Sequence, residues 1–215
     1  MEKKKEIEEL RRMYSSEELG KSKADADPFK QFSKWFNQAA DSEIPEPTAM
    51  ILSTADKKGI PSVRTVLLKG IDDEGFIFFT NYQSSKGKDL TENPYAEALF
   101  LWKELERQVR ISGRVGKILR EQSEDYFKTR PYESKIGAWA SEQSRVISSR
   151  ELLDQNYMKF LKKYEDNNVP MPEYWGGYKL KPDKFEFWQG RKYRLHDRIR
   201  YIWKKDKWEK ERLSP

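Results

Sequence analysis

Along the chain, hydrophobic residues recur first at helical spacing and then at every second position. After Asp27 and Pro28, four aromatic rings are spaced so that they lie on one face of a helix. These rings belong to Phe29, Phe32, Trp35 and Phe36. Because Asp27 is a favoured N-cap and Pro28 a favoured first helical residue, we predict that a helix begins here. Its aromatic face is expected to pack into the core.

From Ala49 onwards, apolar and polar residues alternate with a period of two, which is typical of β-strands. The predicted strands cover residues 50–54, 62–69, 76–80, 96–103 and 108–118. Short turns that contain Gly59 and Gly75 separate the first three of them. The pattern therefore predicts an antiparallel meander in this part of the chain.

The second half of the chain combines amphipathic helices with short aromatic strands. We predict helices at 121–128, 135–140 and 149–164, and strands at 174–180, 184–188, 200–203 and 208–213. Short strands with helices outside them favour one mainly β domain over residues 27–215, an antiparallel barrel with peripheral helices. Residues 1–26 are expected to form a charged helix at 3–14 followed by a mobile polar arm.

Composition removes several classes of chemistry. The chain of 215 residues has no cysteine and one histidine, which excludes disulfides, thiol nucleophiles, thiolate metal sites and a two-histidine metal site. We therefore expect no metal. The net charge of +6 is spread over 42 basic and 36 acidic residues, as on an ordinary solvated surface. A charged N-terminus and the absence of a long apolar run predict a soluble cytoplasmic protein without a membrane segment.

No glycine-rich dinucleotide motif and no P-loop is present, so a phosphate ligand would be held by side chains and helix N-termini. One candidate phosphate site is the apolar strand 64–69, which has a basic residue at each end. Arg64 and Lys69 could lie on either side of a ligand that crosses the end of the strand. Alternatively, both side chains extend along the apolar surface to solvent.

A second place for an anion follows the strand at 76–80. Ser84 or Ser85 could cap a helix there. The free amide groups at the N-terminus of this helix, with Lys86 or Lys88, would then face a bound anion. An ordinary helix start with solvated lysines is the alternative. Gln108 could bind the edge of a planar heterocycle, because its amide both donates and accepts, or it could be a surface residue.

Three donors, Tyr126, Arg130 and Ser134, are spaced by four residues across a predicted helix end, where Pro131 breaks the helix. A phenol, a guanidinium and a hydroxyl together are suited to a phosphate monoester. A frayed helix end on the surface is the alternative interpretation.

The only histidine, His196, lies between Arg194 and Arg198, shortly after an aromatic strand. If this segment is a strand, the three side chains share one face. The two arginines lower the pKa of the histidine and Asp197 raises it, so its charge at pH 7 stays open. A lone histidine is more often structural than catalytic, but this position favours a functional role.

Several motifs occur in a fixed order over nearly the whole chain. They are RTVLLK (64–69), LERQVR (105–110), YFKTRP (126–131), SKIGAW (134–139), EFWQG (186–190) and RLHDR (194–198). In this combination the chain resembles the pyridoxamine 5′-phosphate oxidase family, which binds FMN. The resemblance implies a split β-barrel homodimer with FMN at the subunit interface. It also implies oxidation of pyridoxamine or pyridoxine 5′-phosphate to pyridoxal 5′-phosphate, with O2 as acceptor and H2O2 as product, in vitamin B6 biosynthesis.

The resemblance further implies a set of site residues. FMN would be contacted by Arg64, Thr65, Val66, Leu67, Leu68, Lys69, Phe79, Thr80, Lys86, Gln108, Gln143, Ser144, Trp188 and Arg198. The substrate phosphate would be held by Lys69, Tyr126, Arg130 and Ser134. Arg194 and His196 would cover the substrate ring as the catalytic residues, and Arg11, Arg12 and Tyr14 would belong to a substrate-binding segment that closes over the site.

The chain departs from the family pattern at two positions. Ser85 stands where the family usually has arginine, and Arg145 stands where it usually has serine. The first change removes one cation from the phosphate site, so the affinity for FMN is the property most affected.

The sequence is also compatible with two other functions. A flavin-binding barrel could carry or sense pyridoxal phosphate without turnover, in which case no peroxide would be released. A nucleic-acid-binding barrel would show an affinity that falls steeply with salt, although the mixed charge pattern argues against it.

Overall fold

The computed structural model describes Tyr14 and residues 18–215, which form two compact units. The terminal unit contains the described residues up to Pro47, together with Leu99–Arg110 and Lys184–Pro215. The central unit contains Thr48–Ala98 and Ile111–Asp183. Apart from Tyr14, the helix predicted at residues 3–14 lies outside the described residues. The division into a segment at 1–26 and one domain at 27–215 stays a prediction.

The helices and strands follow one another in an order close to the predicted one. The helices are α1 (Pro28–Ala40), α2 (Ser85–Glu92), α3 (Arg120–Thr129), α4 (Tyr132–Ala140) and α5 (Arg150–Lys163). The strands are β1 (Ala49–Ala55), β2 (Pro61–Leu67), β3 (Gly70–Asp72), β4 (Gly75–Asn81), β5 (Tyr95–Trp102), β6 (Arg107–Lys117), β7 (Trp175–Gln189), β8 (Asp197–Lys204) and β9 (Lys207–Leu213). In the described part of the chain, no helix is long and apolar enough to cross a membrane.

The terminal unit is built around helix α1 and the hairpin of β8 and β9. The carboxylate of Asp27 accepts a hydrogen bond from the Phe29 amide at 2.9 Å, which confirms the predicted N-cap. Phe32 and Trp35 are buried, and the Phe32 ring meets the Phe100 ring edge-on at 5.0 Å. The predicted aromatic face of this helix therefore packs into a core. Strand β8 pairs antiparallel with β7 on one side and with β9 on the other.

The strand order of the sheet is β2-β1-β5-β6-β7-β4-β3, in which β5, β6 and β7 each have residues in both units. Strand β1 pairs antiparallel with β2, and β4 pairs antiparallel with both β3 and β7. The predicted meander is confirmed for β1 and β2, which are joined through a turn at Gly59, where φ is +80°. Because β2 ends at Leu67, Leu68 and Lys69 lie beyond the strand that was predicted to include them.

Strand β7 differs from the prediction. The sequence predicted two strands, at 174–180 and 184–188, and Pro182, a residue type disfavoured inside a sheet, lies between them. The structure has one continuous strand of 15 residues through Pro182. The fixed φ of proline is compatible with extended backbone, and its missing amide removes only one hydrogen bond between neighbouring strands. The short strand β3 was not predicted either, since three residues are too few to show a period.

Gly113 on strand β6 faces the backbone of β7 with no space for a side chain. A Cβ at this position would lie 2.0 Å from the carbonyl oxygen of Lys181. We expect Gly113→Ala to lower the free energy of unfolding by about 2 kcal/mol, because one strand must shift. Urea unfolding measures this change.

Gly116 on the same strand is the matched control, because a Cβ there would meet nothing within 4 Å. Gly116→Ala should leave the unfolding midpoint nearly unchanged. Equal destabilisation by both substitutions would show that any side chain added on this strand, and not the approach of the Lys181 carbonyl, decides the effect.

Candidate functional site

Lys86 is the buried cation of the central unit. Ser84 is the N-cap of helix α2 and accepts from the Gly87 amide at 3.4 Å, which identifies the capping serine. Lys86 is only 8% exposed, and its Nζ donates to Thr80 Oγ1 at 3.1 Å and to Gln143 Oε1 at 2.9 Å. Burial and the nearby charge of Arg64 lower the pKa of Lys86 to about 8. A buried ammonium held by neutral oxygens is suited to receive an anion.

Arg64 on strand β2 is held by a network of oxygens. Its Nη1 donates to Thr54 Oγ1 at 2.6 Å and to the Ser62 carbonyl at 3.1 Å. The Thr54 hydroxyl donates to Asp89 Oδ2 at 2.6 Å, and Nη2 of Arg64 lies 3.8 Å from the same carboxylate oxygen. Burial lowers the pKa of Arg64, and the charge of Asp89 opposes that shift. The network therefore fixes the direction of the guanidinium.

A cavity of about 270 Å³ lies in the central unit next to this cluster. Its walls are formed by Asn81, Arg130, Ser134, Gly137, Ala138, Ser141, Gln143 and Trp175. Arg130 caps the end of α3 and Pro131 precedes α4, which confirms the predicted break between the two helices. The Arg130 guanidinium lies 4.7 Å from the centre of the Trp175 ring. Its buried Nη1 has no hydrogen-bond partner within the described residues.

Tyr126 lies in an aromatic stack and is not among the residues that form the walls of this cavity. Its ring is 3.9 Å from the Phe79 ring at an interplanar angle of 13°, and Phe79 stacks in turn on Trp175. Burial raises the pKa of the Tyr126 phenol. Of the three donors that the spacing grouped, Arg130 and Ser134 thus share the cavity, while Tyr126 packs beside it through Trp175.

In the terminal unit, Trp188 and His196 form an aromatic pair. Their ring centres are 4.6 Å apart, and Tyr14 meets both rings edge-on, at 5.8 Å from Trp188 and 5.3 Å from His196. The Arg191 amide donates to His196 Nδ1 at 3.1 Å, so the proton of the neutral imidazole is on Nε2. Burial and the charge of Arg194 lower the pKa of His196, which favours this neutral form.

The condition under which Arg194, His196 and Arg198 would share one strand face is not met. Residues Lys192–Arg194 form a 3₁₀ turn, and strand β8 begins only at Asp197. Tyr193 and Arg194 have positive φ angles of 59° and 61°, which turn the chain out of the extended conformation. The Arg194 side chain is therefore exposed on a turn.

Arg198 on β8 lies opposite Trp188 on β7 and is held by a buried acid. Its Nε donates to Glu186 Oε1 at 2.8 Å, and its Nη1 donates to the Ser214 carbonyl at 2.9 Å. Arg110 approaches the other oxygen of Glu186 at 3.5 Å. Glu186 was not predicted as a site residue, although a carboxylate inside the aromatic run 185–188 was a signal that it has a cationic partner.

The remaining candidate residues lie outside these contacts. Leu68 is buried, Val66, Leu67 and Gln108 are half-buried, and Thr65, Lys69 and Ser144 are exposed. Arg11 and Arg12 are outside the described residues. At the two departures from the family pattern, Ser85 is exposed as the first residue of α2, and the guanidinium of Arg145 pairs with Glu142 at 2.7 Å. Arg145 is thus paired with an acidic side chain on the surface.

Comparison with known proteins assigns the family. The sequence model of the family described as pyridoxamine 5′-phosphate oxidase matches residues 36–163. The chain belongs to this family. A second model, described as the pyridoxine 5′-phosphate oxidase C-terminal dimerisation region, matches residues 175–215. Family membership indicates a flavin-binding protein, and the resemblance inferred from the motifs is confirmed.

Relatives within the pyridoxamine 5′-phosphate oxidase family cover nearly the whole chain. A pyridoxine/pyridoxamine 5′-phosphate oxidase from Trichormus variabilis is 51% identical over 97% of this chain and 98% of its own length. The protein of the same name from Paraburkholderia phymatum is 53% identical over 97% of this chain and 99% of its own.

Solved structures show the same fold. PhzG from Burkholderia lata, crystallised with tetrahydrophenazine-1-carboxylic acid, is 30% identical with a TM-score of 0.88 over 94% of this chain and 100% of its own. A pyridoxamine 5′-phosphate oxidase-related, FMN binding protein from Nostoc punctiforme is 15% identical with a TM-score of 0.70, over 89% of this chain and 100% of its own. The predicted fold class, a mainly antiparallel split β-barrel fold with peripheral helices, is confirmed.

Proposed function

We propose that the chain is an FMN-dependent oxidase that converts pyridoxamine 5′-phosphate and pyridoxine 5′-phosphate to pyridoxal 5′-phosphate in vitamin B6 metabolism. With the alcohol substrate, O2 is consumed and H2O2 is formed. With the amine, one water is also consumed and ammonia is released. The proposal is supported by relatives that bear this name at about half identity over nearly the full chain. The observation that carries it is the buried ammonium of Lys86, with the half-buried Arg64 near it and the half-buried Arg130 in the wall of the adjacent cavity of the central unit.

The residues of the central unit fit a phosphate-bearing cofactor. Lys86 offers a buried ammonium that only neutral oxygens hold among the described residues, and Arg64 presents a fixed guanidinium near it. We assign both to the FMN phosphate, with Thr80 and Gln143 orienting the ammonium. Bound FMN would supply the acceptance of a hydride and the reaction with oxygen, chemistry that no side chain of this protein offers.

Arg130 and Ser134 fit the phosphate of the substrate. The buried Nη1 of Arg130 lacks a partner within the described residues, and such a donor is costly unless a ligand satisfies it. The ring of Trp175 holds the guanidinium from one side. We therefore assign Arg130 and Ser134, with Lys69 and Tyr126, to binding the substrate phosphate and fixing the position of the reacting carbon. Such alignment can supply much of the rate.

Arg194 and His196 would cover the substrate ring. The neutral His196 presents an Nε2–H donor, because its Nδ1 accepts from the Arg191 amide. The hydrogen-bond donor of His196 and the positive charge of Arg194 can orient the substrate ring and exclude water. No side-chain base is needed for the loss of a hydride from a substrate aligned in this way. Gln108, Trp188 and Arg198 are assigned to the cofactor, as are residues 64–69, Phe79 and Ser144.

The visible spectrum of the purified protein tests the proposal. The protein should be yellow, and anaerobic addition of pyridoxamine 5′-phosphate should bleach the flavin band, with peroxide released once air is admitted. A colourless protein that takes up no added FMN would contradict the proposal. Bound flavin without peroxide at saturating substrate would instead favour a non-catalytic binding protein.

The affinity for FMN should fall as the pH rises through the pKa of Lys86, which is about 8. The FMN phosphate loses its second proton near pH 6, so from pH 7 upwards only Lys86 changes its charge among these partners. We expect the dissociation constant to rise about tenfold between pH 7 and pH 9, because the ammonium that receives the phosphate is lost above its lowered pKa. Quenching of flavin fluorescence measures this constant.

Two controls isolate Lys86 in that experiment. Lys86→Met should bind FMN weakly at both pH values, and riboflavin, which has no phosphate, should show little pH dependence with the parent protein. The same tenfold change in the Lys86→Met variant would assign the effect to another group.

We also propose a homodimer, on the strength of the dimerisation region that matches residues 175–215. Light scattering at micromolar concentration should give about twice the mass of 25.7 kDa. The cytoplasmic location expected from the sequence stays a prediction.

A further inference from the structure

Asp197, the residue after His196, joins three separate segments of the terminal unit. Its Oδ2 accepts a hydrogen bond from the Leu19 amide at 3.1 Å and lies 3.6 Å from Nε of Arg191. Its Oδ1 accepts from Nη1 of Arg212 at 2.6 Å. The Asp197 side chain is only 14% exposed and Leu19 is buried, whereas the Arg212 side chain is 48% exposed. One carboxylate thus connects the N-terminal segment, the turn before β8 and the C-terminal strand β9.

Further contacts close this arrangement into a ring, which we call the Asp197 clasp: Glu18, Leu19, Arg191, Asp197 and Arg212. Arg191 Nη2 lies 3.0 Å from Glu18 Oε1, and Arg212 Nη2 donates to the Leu19 carbonyl at 3.3 Å. Both backbone groups of Leu19 are therefore bonded to members of the clasp. Because charge-assisted hydrogen bonds are stronger than neutral ones, two arginines on one largely buried carboxylate anchor the clasp.

The segments that the clasp connects carry the aromatic cluster described above. Arg191 belongs to the clasp through its side chain, and its amide donates to His196 Nδ1. Tyr14, four residues before Glu18, packs on Trp188 and His196. Gly190 leaves space for this approach, since a Cβ there would lie 2.7 Å from Cδ1 of Tyr14. Holding Arg191 and the N-terminal segment in place therefore also holds Tyr14 against the imidazole.

We propose that Asp197 is a positioning residue of the substrate site. Through the clasp it fixes the Arg191 amide that orients His196 and the segment that presses Tyr14 against it, so that the rings of Tyr14, Trp188 and His196 form one wall. The carboxylate acts through these neighbours and does not touch the substrate. This inference rests on the proposed function in one respect only, namely that the wall faces the substrate ring.

The first test compares Asp197→Asn with a matched control, Glu211→Gln. The asparagine keeps an oxygen for the Leu19 amide but loses the charge that attracts both arginines. Glu211 pairs with Arg200 at 2.6 Å on the same hairpin and makes no contact with the clasp in the described residues. We expect Asp197→Asn to raise KM for pyridoxamine 5′-phosphate about tenfold, with kcat and flavin content within about threefold of the parent. Glu211→Gln should change none of these values.

The second test needs neither flavin nor substrate. Trypsin can cut after Lys21 and Lys23, which are exposed next to the anchored Leu19. In the flavin-free protein, Asp197→Asn should be cut at these positions about tenfold faster than the parent. The reason is that the weakened clasp no longer holds the segment around Leu19 against local opening. Because the charge of Lys21 acts on Glu211, the control for cleavage is Glu209→Gln, which loses the ion pair with Lys204 on the same hairpin and should be cut at the parent rate. If Asp197→Asn folds poorly, Arg191→Gln takes its place, because it removes the ion pair between Arg191 and Asp197 by changing the arginine instead.

The two tests separate the failure of the inference from that of the proposed function. Faster cleavage with an unchanged KM would overturn the positioning role, since the clasp would then anchor the chain without shaping the site. An unchanged cleavage rate would overturn the clasp itself. If the parent protein has no oxidase activity, the proposed function fails, while the cleavage rates still decide whether Asp197 anchors the N-terminal segment.

Discussion

Arg64→Met should raise the dissociation constant for FMN about 50-fold, while kcat at saturating FMN changes by less than about threefold. The substitution keeps much of the apolar stem but removes the guanidinium that Thr54 and the Ser62 carbonyl hold in place. A charge-assisted hydrogen bond to phosphate contributes about 1.5–3 kcal/mol, which corresponds to roughly one to two orders of magnitude in affinity. Titration of the flavin-free protein, followed by flavin fluorescence, gives the constant.

Arg200→Met is the matched control for this prediction. Arg200 lies on strand β8 of the terminal unit and pairs with Glu211. Its loss removes an arginine and an ion pair but should leave the affinity for FMN within a factor of about two. An equal loss of affinity in both variants would show that net charge, and not the position of Arg64, determines binding.

Removal of Arg64 should also change the titration of Lys86. The charge of Arg64 is the second cause, after burial, of the lowered pKa of Lys86. In Arg64→Met this pKa should move upwards, so the decline of FMN affinity should begin at a higher pH than in the parent protein. The two cations therefore do not act independently, and their substitutions are not expected to be additive.

The parts of the fold that could be predicted from the sequence depend on local patterns. Helix α1 shows its cap and its aromatic face within a few residues, and the break between α3 and α4 follows from Pro131 alone. The turn at Lys192–Arg194 could not be predicted in the same way. Left-handed backbone is usually marked by glycine, but here Tyr193 and Arg194 adopt it without that signal.

The partners of the candidate site residues depend on tertiary structure, which local patterns do not encode. Gln143 accepts from Lys86 across 57 residues of sequence, and only the resemblance to the family had placed it in the site. Asp89 meets Thr54 through the packing of α2 near β1. Glu186 finds Arg198 because of the register between β7 and β8, in which Trp188 stands opposite Arg198. Residue types could therefore be predicted, but not their contacts.

Arg194→Ala should lower kcat/KM for pyridoxamine 5′-phosphate by about two orders of magnitude and leave flavin content unchanged. The guanidinium is exposed on the turn before β8, and its charge already acts on His196 by lowering the pKa of the imidazole. Lys192→Ala, in the same turn, is the control and should keep nearly full activity. If both Arg64→Met and Arg194→Ala reduced only flavin content, the division into cofactor and substrate residues would be wrong.

Arg194→Gly separates the strain at this position from its function. Arg194 has a φ of 61°, a conformation that costs an ordinary residue about 1 kcal/mol and glycine almost nothing. The glycine variant should therefore unfold at a temperature equal to or above that of Arg194→Ala, yet lose the same two orders of magnitude in kcat/KM. Such a result would mean that the strained backbone is kept because it presents the guanidinium. A glycine variant with restored activity would instead assign the defect of Arg194→Ala to a distorted turn.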